Sequence, residues 1–458
     1  MFSTEDTIVA IATPAGRGGI GVVRISGPGA GRIAGQLVTY RGPLEPRRAT
    51  LTLVRDDGAQ ALASTAPRII DQAIVTYFPE PSSYTGEDVV EMSVHGSPVV
   101  LRAIVKNAVR AGARIAEPGE FTLRAFLNGQ IDLPQAEAVA DLIDAATPLQ
   151  ARAAFDQLQG TVTAAIGEIE QDLFDLIARL EASIDFPEEG YHFIEPPELR
   201  DELSRLGDRL ERLLERGRRG RLIREGRTVA IVGPPNVGKS SLFNALVGSA
   251  RAIVTAVPGT TRDLVSETVD IDGLRVTLVD TAGLRQTDDT VEVEGISRSV
   301  GAARVADVVV QVFDGTALGD GDHAKTRDVV SQAIDAVVVS VTNKCDAQGF
   351  RLEVGTTAVS AVSGEGLGQL RAQITDGIGS ADYVDCPEIS NTRHLERVER
   401  AALSLRSALS AMNVDGTLPE EFILADLQTA RNALEEVSGR RTSEELLDHI
   451  FQRFCIGK

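Results

Sequence analysis

The chain has 458 residues, too many for one ordinary hydrophobic core, so two to four domains are expected. With 43% hydrophobic and 24% charged residues it fits globular protein rather than disorder or a membrane protein, and three widely spaced cysteines (Cys345, Cys386, Cys455) argue against a disulfide framework or zinc cluster. A formal net charge of -20 argues against broad, sequence-independent nucleic-acid binding, so any RNA contact is expected to be local.

The opening MFSTEDTIVA carries acidic residues where a secretory signal would carry basic ones, and no apolar run approaches the roughly 18 residues of a membrane span. A reducing, cytoplasmic location without membrane attachment is the expectation. Up to residue 128, short β-branched runs (Ile8 to Ile11, Gly21 to Ile25, Ala73 to Phe78, Val89 to Val94) alternate with Gly/Pro turns and one helical stretch, Val99 to Ala111. That pattern predicts a small α+β domain.

From Ile131 the period becomes helical: Ile166, Ile169, Leu173, Leu176 and Leu180 step by three and four, as do Leu199, Leu203, Leu206, Leu210 and Leu213. Between Thr228 and Ile374, continuous apolar runs (Val229 to Val232, Val276 to Val279, Val308 to Phe313, Val337 to Val341) alternate with polar helical stretches, the pattern of a parallel sheet covered on both faces. The helical period returns in Leu395, Val398, Ala402, Leu405 and Leu409, and in Ile423, Leu427, Ala430, Leu434 and Val437. An α/β domain inserted into a helical one gives this order, although two separate bundles would too.

Residues Gly233 to Ser240 (GPPNVGKS) fit G-x-x-x-x-G-K-[ST] between a predicted strand and a predicted helix opening at Ser241. Asn236, Val237 and Gly238 would offer backbone N–H groups to phosphates, Lys239 would neutralise the β/γ oxygens, and the Ser240 hydroxyl would ligate Mg²⁺. Asp280 with Thr281, Ala282 and Gly283 follows a strand and suits water-mediated Mg²⁺ binding and γ-phosphate sensing. Between them, Thr261 in Pro258 to Asp263 would complete the metal shell of a triphosphate. Asn343, Lys344 and Asp346 (NKCD) set the base, because a carboxylate accepts guanine's two N–H donors, a discrimination on the order of 10⁴. Ser360 and Ala361 would close over that base. Five such elements in order predict GTP binding.

The whole chain resembles the bacterial tRNA-modifying GTPase family MnmE, also called TrmE. The likeness rests on the run Thr7 to Gly27, on Tyr84 to Asp88 (YTGED), Pro118 to Phe121 (PGEF), Arg124 to Asn128 (RAFLN) and the end Phe454 to Lys458 (FCIGK). It implies a multidomain chain: an α+β folate-binding and dimerisation domain (1–128), an α-helical domain (129–220 and 383–458) and an inserted α/β P-loop GTPase domain (221–382). It implies K⁺ held by Asn236, Thr255, Val257 and Thr260, and Glu292 orienting the attacking water, with Glu294 as a nearby competitor. By themselves Asp288, Asp289, Glu292 and Glu294 read as a solvated acidic loop.

By the same resemblance Arg24, Glu91 and Lys458 hold a tetrahydrofolate derivative (5-formyl or 5,10-methylene). Gln130 stands where relatives often carry Lys, so a direct charge contact there is in doubt. FAD and NADH act on the flavoprotein partner MnmG (GidA), expected to form a heterotetramer with this homodimer and to modify carbon 5 of the wobble uridine of certain tRNAs. Cys455 fits prenylation poorly; a packed thiol is the ordinary fate, and the resemblance makes it a candidate participant in the uridine chemistry. Arg209, Arg212, Arg216, Arg218, Arg219, Arg221, Arg224 and Arg227 read either as a solvated helix end or as a contact for tRNA or an acidic partner. A ribosome-assembly or signalling GTPase would share the nucleotide motifs but needs neither the N-terminal runs nor the Cys-Ile-Gly-Lys end.

Overall fold

The computed structural model describes residues 5–56, 68–185, 194–249, 251–252, 265–280, 301–317, 336–379, 389–412 and 420–457. They fall into two compact units, 1–140 with 432–458, and 141–431. Among the described residues no helix is long and apolar enough to cross a membrane.

In the first unit β1 (Ile8–Ile11), β2 (Gly18–Ser26), β3 (Thr50–Asp56), β4 (Arg68–Phe78), β5 (Val89–Gly96) and β6 (Arg114–Ile115) make one sheet, ordered β3-β4-β5-β2-β1-β6. The pairs are antiparallel except β1 with β6. Period-two alternation sends Val23, Ile25, Val90 and Met92 to one face, where α1 (Ala30–Leu37) and α2 (Pro98–Arg110) cover them with Ile33, Leu37, Leu101 and Ile104. On the other face Ile8 and Ala10 meet Phe121 of α3 (Glu120–Leu127) and Tyr84. The helix α4 (Leu133–Asp144) follows.

Sequence patterning missed α1 and β3. Two glycines, Gly31 and Gly35, give α1 poor helix propensity, and burial of Ile33, Ala34 and Leu37 overrides it. In β3, the exposed Leu51 and Leu53 blur the polar-out alternation that marks a strand.

The second unit begins with α5 (Pro148–Leu158), whose Thr147 and Gln150 form a capping box, then α6 (Thr161–Asp185) and α7 (Pro196–Glu225). The predicted leucine ladder of α7 is buried throughout, from Leu199 to Leu213. Its sheet joins β7 (Arg227–Val232), β8 (Arg251–Ala252), β9 (Val265–Ile271), β10 (Leu274–Asp280), β11 (Val308–Asp314), β12 (Val337–Asn343) and β13 (Thr357–Ala358) in the order β13-β12-β11-β7-β10-β9-β8. Strands β13, β12, β11, β7 and β10 run parallel, β9 runs antiparallel to β10, and β8 antiparallel to β9.

Alternate residues face α8 (Lys239–Ser249) and α9 (Leu367–Gly377) on one side, and Ala302, Ala303 and Ala306 on the other, as a doubly covered sheet requires. The helix α10 (Thr392–Ala411) packs on α7 so closely that a Cβ at Gly217 would lie 2.4 Å from Leu395. The last long helix is α11 (Glu420–Ser438). A short α12 (Glu444–Phe451), capped by Ser443, returns to the first unit, where Leu447, Phe451 and Phe454 share a core with Leu123, Leu133 and Ala136.

Candidate functional site

Parallel strands end together, so the residues that close β7, β10, β11, β12 and β13 share one edge of the second unit's sheet. Strand β7 lies between β10 and β11: the chain from β7 to β10 stays on one side of it, and the chain after β10 crosses to β11 on the other, and such a switch point is where open α/β sheets bind ligands. There the chain turns from Val232 through residues 233–238 into α8. Gly238 takes φ 93°, and a Cβ on it would sit 2.4 Å from the Asn343 amide nitrogen. A Cβ on Gly233 would lie 2.6 Å from the Val312 carbonyl. Both glycines of the motif are thus required by close approach as well as by phosphate access.

Lys239, 9% exposed, folds across its own loop and donates to the carbonyls of Gly233 (2.9 Å) and Pro234 (2.8 Å). Burial pushes its ammonium below the ordinary lysine value, and the charge of Asp280, 3% exposed at the end of β10, opposes that shift. An arriving anion meets an ammonium already stripped of water, which strengthens their attraction. Ser240 and Ser241, in the first turn of α8, and Asn236 are exposed.

Asn343, 2% exposed, joins two loops. Its amide nitrogen donates to the Val237 carbonyl at 2.9 Å, and its amide oxygen accepts from the Ala361 N–H at 3.2 Å. Ser360 donates to Asp346 at 2.6 Å and accepts from the backbone N–H groups of Val362 (3.2 Å) and Ser363 (3.0 Å), which aims one edge of the Asp346 carboxylate. Lys344 bonds the Asn236 carbonyl at 3.1 Å and Asp314 at 2.5 Å. Burial pushes the Cys345 thiol up, and Glu365 and Asp346 add to it, so this cysteine is a poor nucleophile. Asp314 was not singled out in the sequence; an Asp at a strand end is commonplace, and only the fold brings it to Lys344.

In the first unit Arg24 of β2 stands opposite Glu91 of β5 and bonds it at 2.9 and 2.8 Å, with its guanidinium over the rings of Tyr84 (5.1 Å) and Phe121 (5.6 Å). Burial pushes the Tyr84 phenol up, although Thr122 and Arg24 pull it down. In the sequence the two rings flanking Arg24 stand only as parts of the longer runs Tyr84 to Asp88 and Pro118 to Phe121. Gln130 is exposed beside Gly86. The tail runs past this sheet: Ile456 bridges Pro118, and a Cβ on Gly457 would lie 2.3 Å from the Ile11 carbonyl. Cys455 is a free, exposed thiol.

Residues of the N-terminal runs join Asp6 and Arg114 in a charge network centred on the buried Arg124. Arg124, 1% exposed, binds Asp6 (2.5 Å), Glu87 (3.1 Å) and Glu120 (3.0 Å), and Arg114 shares Asp6 and Glu120. Ser26 donates to Glu87 at 2.7 Å, and Asn128 to the Thr85 carbonyl at 2.7 Å. These bonds fix the loop that carries Tyr84.

The arginine-rich end of α7 is largely engaged internally. Arg209 pairs with Glu168 and Asp172, Arg219 with Glu215, Arg221 with Glu225, Arg224 with both oxygens of Asp141, and Arg227 with Asp307. Those pairs favour the helix-end reading over a phosphate-binding stripe. Thr255, Val257, Thr260, Thr261, Thr281, Ala282, Gly283, Glu292 and Lys458 lie outside the described residues.

A family model described as "MnmE helical domain" matches residues 133–455, and one described as "GTP-binding protein TrmE N-terminus" matches residues 7–130. Over 464 residues the chain is 44% identical to a protein named tRNA modification GTPase MnmE from Koribacter versatilis (strain Ellin345), with 100% of both chains covered. It is 42% identical over 466 residues to a protein of the same name from Nitrosomonas eutropha (strain DSM 101675 / C91 / Nm57), again covering 100% of each. Among solved structures it is similar to the G domain of the T. maritima FeoB iron transporter, at 24% identity, 33% of this chain, 98% of that one and a TM-score of 0.25. At so low a score that likeness decides nothing.

Proposed function

The chain belongs to the MnmE family of tRNA modification GTPases, and from that premise we propose that it runs a potassium-activated cycle of GTP hydrolysis driving wobble-uridine modification. It is a GTP hydrolase acting in tRNA modification. The observation that carries the reading is the pair of hydrogen bonds made by the Asn343 amide, which ties the phosphate loop at Val237 to the base loop at Ala361.

In this reading Asn236, Val237, Gly238, Lys239, Ser240, Ser241, Thr255, Thr260, Thr261, Asp280, Thr281, Ala282 and Gly283 surround the phosphates, and Asn343, Lys344, Asp346, Ser360 and Ala361 hold the guanine. The hydroxyls of Ser240 and Thr261 are hard oxygen donors suited to Mg²⁺, and the exposed Asn236, with Thr255, Val257 and Thr260, supplies oxygens to K⁺. When bound, the two cations neutralise charge developing on the phosphates. Lys239 adds to that neutralisation, and Glu292 orients the water for in-line attack.

Arg24 and Glu91 suit a folate because they present a cation and a carboxylate side by side, the cation against two aromatic rings, as a glutamate tail and a pterin require. Gln130 and Lys458 extend that site, and Cys455 stands at its tail as the candidate participant in base chemistry. The folate supplies the one-carbon unit. The domain limits 1–128, 129–220 with 383–458, and 221–382, the homodimer through the N-terminal domain, the MnmG partner with its FAD and NADH, and a cytoplasmic location belong to the same proposal.

Mass spectrometry of tRNA from cells lacking this chain tests it. The carbon-5 aminomethyl-type group on wobble uridine should disappear, return with the wild-type gene, and stay absent with Glu292→Ala. Intact modification in the null strain would remove the proposal.

A further inference from the structure

Asp314 closes β11 in register with Asn343, the residue before Lys344. Its Oδ1 accepts from the backbone N–H (2.9 Å) and the hydroxyl (2.6 Å) of Thr316, and its Oδ2 accepts from the Lys344 ammonium at 2.5 Å. Burial works against its charge, but the Lys344 and Thr316 bonds outweigh it and hold the carboxyl below the ordinary aspartate value. The next residue has no room for a side chain: a Cβ on Gly315 would lie 2.3 Å from the Phe350 ring.

From Asp314 the chain of contacts runs into the phosphate loop, because the ammonium that Asp314 holds also donates to the Asn236 carbonyl at 3.1 Å. Both joined residues are strained, Lys344 at φ 69° and Asn236 at φ 65°, where non-glycine residues persist only if their surroundings fix them. A lysine side chain is long and flexible, and it braces a loop only when something fixes its head. A carboxylate already oriented by two Thr316 donors is such a fixture.

We propose that Asp314 is a positioning residue for the nucleotide: through Lys344 it clamps the Asn236 carbonyl and holds the phosphate loop in its binding shape. It touches neither base nor phosphate in this role, so it governs how long a nucleotide stays rather than which one is chosen. The inference rests on reading this edge as a guanine-nucleotide site.

Stopped-flow release of mant-GDP and of a mant-labelled GTP analogue from the full chain tests it. Losing a charge-assisted bond should make Asp314→Asn release both probes about tenfold faster or more, with the preference for GDP over inosine diphosphate unchanged. Thr316→Val, which leaves Asp314 in place but removes one of its donors, should give a smaller acceleration in the same direction. Because the effect passes through Lys344, Asp314→Asn combined with Lys344→Met should release no faster than Lys344→Met alone. Wild-type release rates in Asp314→Asn, or an acceleration undiminished in the Lys344→Met background, would overturn the role. Failure of the wild-type chain to bind mant-GDP would sink the nucleotide site itself, and the clamp with it.

Discussion

Asn236 combines an exposed side chain with a left-handed backbone and a carbonyl held by Lys344, so its parts can be tested separately. Asn236→Gly deletes the side-chain oxygen, keeps the carbonyl and relieves the positive φ. GTP turnover by the wild-type chain should be faster in KCl than in NaCl at equal ionic strength. In the glycine variant that difference should shrink by at least about tenfold while nucleotide affinity stays within a few-fold. Equal rates for the wild type in the two salts would remove the potassium assignment. The motif residues here were legible from the sequence because phosphate binding needs particular residue types at fixed spacing. Asp314 and the ring pair around Arg24 were not, because their partners lie tens of residues away and only the fold selects them.

Three neighbouring elements, β6, α3 and the stretch before β1, are joined by Arg114, Arg124, Asp6 and Glu120. Burial works against the charge of Glu120, but Arg114, the Glu117 N–H and Arg124 outweigh it and hold the carboxyl below its ordinary value of 4.5. Burial likewise opposes ionisation of Asp6, and Arg114 and Arg124 prevail. A carboxyl with a depressed folded value contributes stability that is complete above its unfolded value and is lost as pH falls through the folded one. The first unit should therefore lose stability as pH drops below about 4.5, followed by circular dichroism in urea at stepped pH, and Glu120→Gln should flatten that dependence. A slope unchanged by the substitution would place the acid sensitivity elsewhere. Element type was readable where the apolar period was long, as in α7 and β11. It was not readable in α1, where packing overrides two glycines, or in β3, whose outward leucines hide its alternation.

Across the molecule, chain order and compact units disagree. Residues 432–458 complete a unit begun by residues 1–140, although 141–431 intervene. Periodicity alone recognised the late helices but could not say which core they enter, because a helical stripe records only that one face is buried. Removing residues 444–458 would expose Leu123, Leu133 and Ala136, which share their core with Leu447, Phe451 and Phe454. The truncated chain should show a lowered melting transition for the first unit, read by differential scanning calorimetry, while mant-GDP binding in the second unit survives. Loss of nucleotide binding together with the first unit's transition would show that the two units unfold as one.

That same closure has a consequence for biosynthesis. At about 5–20 residues per second, roughly 15–60 s separate the synthesis of Leu133 from that of Leu447. Through that interval the faces of Leu123 and Leu133 that Leu447, Phe451 and Phe454 will cover stay open beside a sheet that can already pair its strands.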